Sequence, residues 1–131
     1  MRRPRAWIAL ATLLSVLATT RVARAADPDP WFGRDKALHF GVSAALASST
    51  YAVMTTQYRA RYPPLLIGGG LALAIGGAKE GLDSLGFGDP SWKDFTWDVI
   101  GTVVGLGLAW GLDLAIRGVG PDAPLFARPT P

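Results

Sequence analysis

Three apolar runs, each with a charged cluster at one end, constrain this chain more than any other feature. The first follows RDKALHF, with Asp35, Lys36 and His39 at its start; the second closes in GGAKEGLDS, with Lys79, Glu80 and Asp83; the third opens from SWKDFTWD, with Asp94 and Asp98. Charge at the start, then at the end, then at the start again brings all three charged ends to one side if consecutive runs are helices packed antiparallel. Within each run the charges share a helix face: Asp35 and His39, Lys79 and Asp83, and Asp94 and Asp98 are each four residues apart.

The runs predict helices from about Asp35 to Thr56, from about Pro64 to Leu85, and from Ser91 to Ile116. Roughly 20 apolar residues suffice to cross a bilayer. Between Ala37 and Met54 the only side chain that ordinarily titrates near neutral pH is His39. The second run is the shortest, its uninterrupted apolar part covering only Leu65 to Ala78. Its glycines Gly68, Gly69, Gly70, Gly76, Gly77 and Gly81 would be costly in a water-exposed helix, whereas between membrane helices they permit close backbone approach. Gly101 with Gly105 and Gly107 with Gly111 repeat that small-residue spacing in the third run. Proline falls in the first turn of the second helix, and Ser91 with Asp94 forms a capping box for the third, with Asp in place of Glu. Asp113 can pair with Arg117 one turn on. The fold class is therefore all-α: a three-helix membrane bundle behind an N-terminal signal peptide.

That leader occupies residues 1–25. Arg2, Arg3 and Arg5 start it, Trp7 to Ala18 form an apolar centre, and Ala23-Arg24-Ala25 supplies a cleavage pattern. Residues 26–34 read as a Pro- and Asp-containing linker, 35–117 as the helical domain, and 118–131 as a disordered tail rich in Gly and Pro. The basic surplus belongs to the leader. Five of the thirteen Lys and Arg precede Ala26, which leaves eight basic against ten acidic residues in the rest, so nothing there grips nucleic acid. The absence of cysteine excludes disulfides, thiol nucleophiles, thiolate metal sites and lipidation through sulfur. With Ala26 outside, Arg59, Arg61, Arg117 and Arg128 fall inside and Trp31, Trp92 and Trp97 mark the outer edge, in keeping with the positive-inside rule. The expected location is a bacterial inner membrane with the charged cluster on the periplasmic side; periplasm or outer membrane is the alternative.

Asp35, Glu80, Asp83, Asp94 and Asp98 outnumber Lys36 and Lys79 by three, and such a surplus beside lipid calls for a cation or for neutralised carboxyls. A divalent ion held by Glu80, Asp83 and Asp98, with His39 as a fourth ligand, is the sharp expectation. Against it stands the ordinary one, in which these side chains cap and cross-link helices. No phosphate loop, catalytic triad order or zinc spacing points to a reaction, so no catalytic residue is named.

The three motifs, in this order and spacing, closely resemble the YfiM-type family of small bacterial envelope proteins over about Gly33 to Trp110. A looser similarity runs to VanZ-like membrane proteins through the D-K-x-x-H-F start and the later acidic pair. The resemblance makes Asp35, Lys36, His39, Lys79, Glu80, Asp83, Asp94 and Asp98 the motif positions and supplies no catalytic role. YfiM-type proteins are labelled lipoproteins, and this chain lacks the cysteine such an anchor requires, so its own helices take over the attachment. Two functions are expected from these readings. One is a structural or partner-binding envelope membrane protein, its glycine-rich faces meeting lipid, a second copy or another envelope protein. The other is a metal-assisted enzyme acting on a lipid-linked or cell-wall substrate.

Overall fold

The three apolar runs fold as three long helices, and the signals that bound them are local. In the computed structural model, which describes residues 28–126, α1 spans Arg34–Met54, α2 spans Tyr62–Leu82 and α3 spans Trp92–Arg117. Helix α1 follows Gly33 in extended backbone, and Asp35 places a negative charge in its first turn. Pro63 and Pro64 open α2, where a missing N–H costs no hydrogen bond. Helix α2 runs on into a wider π-helical turn, Asp83–Phe87, which contains Gly86 with φ 96°, a left-handed conformation that favours glycine. Ser91 caps α3 as the motif predicts, its Oγ accepting from the Asp94 N–H at 3.2 Å. Gly118, with φ 63°, terminates α3.

All three helices are long and apolar enough to cross a membrane. Their packing inverts the pattern of a water-soluble bundle. Small residues fill the interior: Ser43 and Ala47 of α1, Gly68, Ala72 and Gly76 of α2, and Gly101 and Gly105 of α3 are buried. The large aliphatic side chains Leu66, Val103, Leu108, Leu112 and Ile116 are exposed. A soluble monomer would hide such side chains, whereas hydrocarbon solvates them and leaves close van der Waals packing to hold the helices. Helix α1 lies between its neighbours and packs most extensively against α3. A Cβ on Gly101 would overlap the Phe40 carbonyl, one on Gly105 would overlap the Ala44 carbonyl, and one on Gly68 would lie 2.8 Å from the Ala47 oxygen. These three glycines set how closely the backbones approach. Around Gly107 and Gly111 there is open space, so the second small-residue pair takes no part in packing within the chain.

Two segments outside the helices are more ordered than their composition suggests. The residues before α1 are tied down by aromatic and polar contacts described below. The start of the tail, read as disordered, folds back instead: Arg61 and Tyr62 donate backbone hydrogen bonds to Pro124 and Leu125 at 3.0 and 3.1 Å, and Ala123 is buried. Composition misled there because the partners lie in another loop. The expected leader and residues 127–131 lie outside the described residues.

Candidate functional site

The charged ends of the three helices converge, and Lys36 is at their centre. It lies in the first turn of α1, only 4% exposed, with its ammonium paired to Asp29 and Asp94. Asp35 lies 3.6 Å and Ser91 Oγ 3.5 Å from the same nitrogen. Capping supplies the geometry: Ser91 stands at the head of α3, and Asp94, three residues on, turns inward beneath it. The Ser91 hydroxyl also donates to Asp29 at 2.7 Å, so Asp29 is held from two sides. The Lys36 hydrogen bond, followed by that from Ser91, holds the Asp29 carboxyl below the usual carboxylate range.

Lys79 forms a second node from α2. Its ammonium lies 2.8 Å from Asp83, 3.0 Å from Glu80 and 3.6 Å from Asp94. The other Glu80 oxygen accepts from the Ser91 N–H at 2.7 Å, joining the end of α2 to the start of α3. Asp83 packs against Gly88, where a Cβ would overlap its carboxylate.

His39 and Asp98 form a third node, deeper along the bundle. The His39 Nδ1 lies 3.1 Å from both Asp98 oxygens, and Nε2 is 3.7 Å from Asp94. Ser43 donates to Asp98 at 2.7 Å. Asp98 is 2% exposed and occupies the space left by Gly76, whose Cβ would lie 2.5 Å from its Oδ2. Ser43 and His39 thus contact the same carboxylate. The serine gives its proton to Asp98 and not to the imidazole, an arrangement that orients side chains without activating a nucleophile.

All eight motif residues therefore gather at one end, sorted into pairs. Glu80 and Asp83 meet Lys79, while Asp98 meets His39 and Ser43, so the expected ion ligands Glu80, Asp83, Asp98 and His39 divide between two nodes. The ligand atoms that do come together are those of Asp35, His39 and Asp94, all within 4.8 Å of one another. Asp29 joins the cluster from the segment read as a linker, and Lys93 from within the capping motif. Six carboxylates (Asp29, Asp35, Glu80, Asp83, Asp94, Asp98) against three ammonium groups (Lys36, Lys79, Lys93) still leave three negative charges over.

An aromatic collar surrounds this end. Trp31 meets Trp92 edge to face at 4.8 Å between ring centres, Phe32 and Phe40 pack on Trp97 at 5.8 and 6.2 Å, and the Trp97 indole donates to the Trp31 carbonyl at 2.8 Å. Lys93 lies 5.8 Å from the Trp31 ring centre. The residues before α1 are therefore part of the site and not a plain linker.

A second polar knot, which sequence reading missed, closes the opposite end. Arg61 has no exposed surface; it contacts Asp113 and donates to the carbonyls of Gly118 and Ala123. Tyr51 donates to Asp113 at 2.9 Å, and Arg117 pairs with the same carboxylate as its spacing predicts. Arg61 and Arg59 look alike in a short basic loop; only the fold distinguishes the buried one.

Comparison with protein-family models, curated proteins and solved structures finds no match. The arrangement of the chain's own residues is what bears on function.

Proposed function

We propose that this chain is a small envelope membrane protein of structural or partner-binding role, and that its polar cluster is a lock joining three membrane helices at the periplasmic face. One observation carries the reading: the buried Lys36 ammonium occupies the space among Asp29, Asp94 and Asp35 that a bound cation would need. A fixed internal cation of this kind makes the cluster self-sufficient. The resemblance of the motifs to YfiM-type envelope proteins supports the reading, as do the apolar exterior and the open faces at Gly107 and Gly111, which suit contact with a second copy or another membrane helix. Arg59, Arg117 and Arg128 support a cytoplasmic first connection and C-terminus.

The approach of Asp35, His39 and Asp94 favours a second reading, a metal-assisted enzyme acting on a lipid-linked or cell-wall substrate. Thermal melting in detergent separates the two. Lys36→Met leaves Asp94 buried without its cation and should cost about 3–5 kcal/mol, while the wild-type melt should ignore magnesium, calcium and chelator. A wild-type protein stabilised by either ion would favour the metal reading. Orientation is tested by reporters: one after Arg117 should read cytoplasmic and one inserted at Gly88 periplasmic, and the reverse pair of signals would put the lock on the other side.

A further inference from the structure

A groove of about 270 Å³ runs between α1 and α2 and joins two chemistries. Leu38, Val42 and Leu46, at successive turns of α1, face Ile75 of α2 along roughly 12 Å of helix axis. At its charged end the groove meets Asp35, His39 and Lys79. Its apolar part lies along the helices and its polar part at their charged ends, the order in which a bilayer lipid presents chain and headgroup.

We infer that this groove binds one bilayer phospholipid bearing an ethanolamine headgroup, with an acyl chain against Leu38, Val42 and Ile75, the phosphate at Lys79 and the ammonium at Asp35. Charge complementarity selects the headgroup. Asp35 has a side chain 66% exposed and meets Lys36 only at 3.6 Å, beyond hydrogen-bond reach, so its carboxylate can accept from an incoming N–H. The Lys79 side chain is 41% exposed at the same groove and can donate to a phosphate oxygen. A headgroup with net negative charge would meet the three unbalanced carboxylates. Choline carries a positive charge but no N–H to give Asp35. Ethanolamine brings a donor and an acceptor and adds no net charge. The wider groove between α1 and α3, about 550 Å³, offers no such selection: its Ser48 and Ser49 hydroxyls bond to carbonyls of their own helix, and its Asp113 is held by Arg61, Arg117 and Tyr51.

This inference rests on the membrane reading of the proposed function, so the test begins with carbonate extraction of the full chain from membranes. Release into the soluble fraction would defeat the membrane reading itself. Protein that stays in the pellet is reconstituted into nanodiscs of phosphatidylethanolamine, phosphatidylcholine and phosphatidylglycerol in equal parts with identical acyl chains, and the lipid retained by the protein is read by native mass spectrometry. The retained ratio of phosphatidylethanolamine to each of the other two lipids should be roughly two to five, the range an exposed ion pair supplies. Asp35→Asn should return the ratio to that of the bulk lipid. Val42→Trp, which fills the groove from an exposed position, should abolish retention, and Leu108→Trp in the wider groove should change neither. Enrichment of phosphatidylglycerol, equal retention of all three lipids, or enrichment that survives Val42→Trp would overturn the assignment while leaving the membrane reading intact.

Discussion

Adding one methyl group at each of two glycine pairs in α3 should have opposite effects, although the pairs look equivalent in sequence. At Gly101 and Gly105 the new Cβ would run into the Phe40 and Ala44 carbonyls of α1. These are main-chain atoms in the middle of a helix, so no rotamer change relieves the overlap and the two helices must move apart. Overpacking of that kind costs about 1–3 kcal/mol, and an unyielding neighbour puts it toward the upper end; replacing glycine by alanine in a helix returns up to about 1 kcal/mol. Gly101→Ala and Gly105→Ala should therefore each destabilise the bundle by about 2 kcal/mol. Gly107 and Gly111 have open space around them, so only the propensity gain remains and alanine there should be neutral or stabilising by up to about 1 kcal/mol. Denaturant unfolding in mixed micelles, followed by tryptophan fluorescence, reads the difference. Equal effects of the two pairs would refute the close α1–α3 approach. Destabilisation at Gly107 and Gly111 alone would mean that those faces carry an oligomer interface.

Other consequences can be checked separately. Arg61→Met leaves two carbonyls without their donor while Asp113 keeps Arg117 and Tyr51; it should cost about 1–3 kcal/mol and expose residues 118–126 to protease, and a tail still protected in this variant would mean that backbone bonds alone hold it. Because the Asp29 carboxyl is held below its usual range, it adds stability in full above that range and loses it as pH falls through the depressed value. The stability gap between wild type and Asp29→Asn should thus stay constant from neutral pH down to the ordinary carboxylate range and close only below it; a gap that closes higher would show that the Lys36 and Ser91 hydrogen bonds do not favour the ionised form. Gly76→Ala should displace the Asp98 carboxylate, breaking its contacts with His39 and Ser43, with a loss of about 1–3 kcal/mol seen in the same unfolding assay; unchanged stability would mean that the carboxylate can shift without cost.

The helices were legible because a long apolar run has few alternatives once Ser91, Pro63 and Gly118 mark its ends. The gathering of charge was legible for a topological reason: alternate charged ends meet when helices alternate in direction. Partner choice was not, since the rotation of each helix decides which carboxylate Lys36 finds, and rotation follows from close contacts such as Gly101 on Phe40 and Gly76 on Asp98. Glycine spacing signalled that such contacts exist without saying which glycines make them. Asp29 was hidden by its position in a short Pro-containing segment. Arg61 was hidden by its neighbour Arg59, which has the same charge and remains exposed, 4.0 Å from Asp122.

The knot at Arg61 also imposes an order on biogenesis. Its acceptors at Gly118 and Ala123 lie 57 and 62 residues further along the chain, and Lys36 waits 58 residues for Asp94. At about 5–20 residues per second of synthesis, α1 and α2 would spend several seconds with buried-type cations still unpaired. During that interval each ammonium or guanidinium must stay near water or borrow a temporary partner, such as a lipid phosphate or the insertion machinery. Helix α3 completes the Lys36 end first, and the nine residues after it finish the Arg61 end. A chain that stops at Arg117 would possess α1, α2 and α3 and still lack the carbonyls that fasten one end of the bundle, which makes residues 118–126 its clasp.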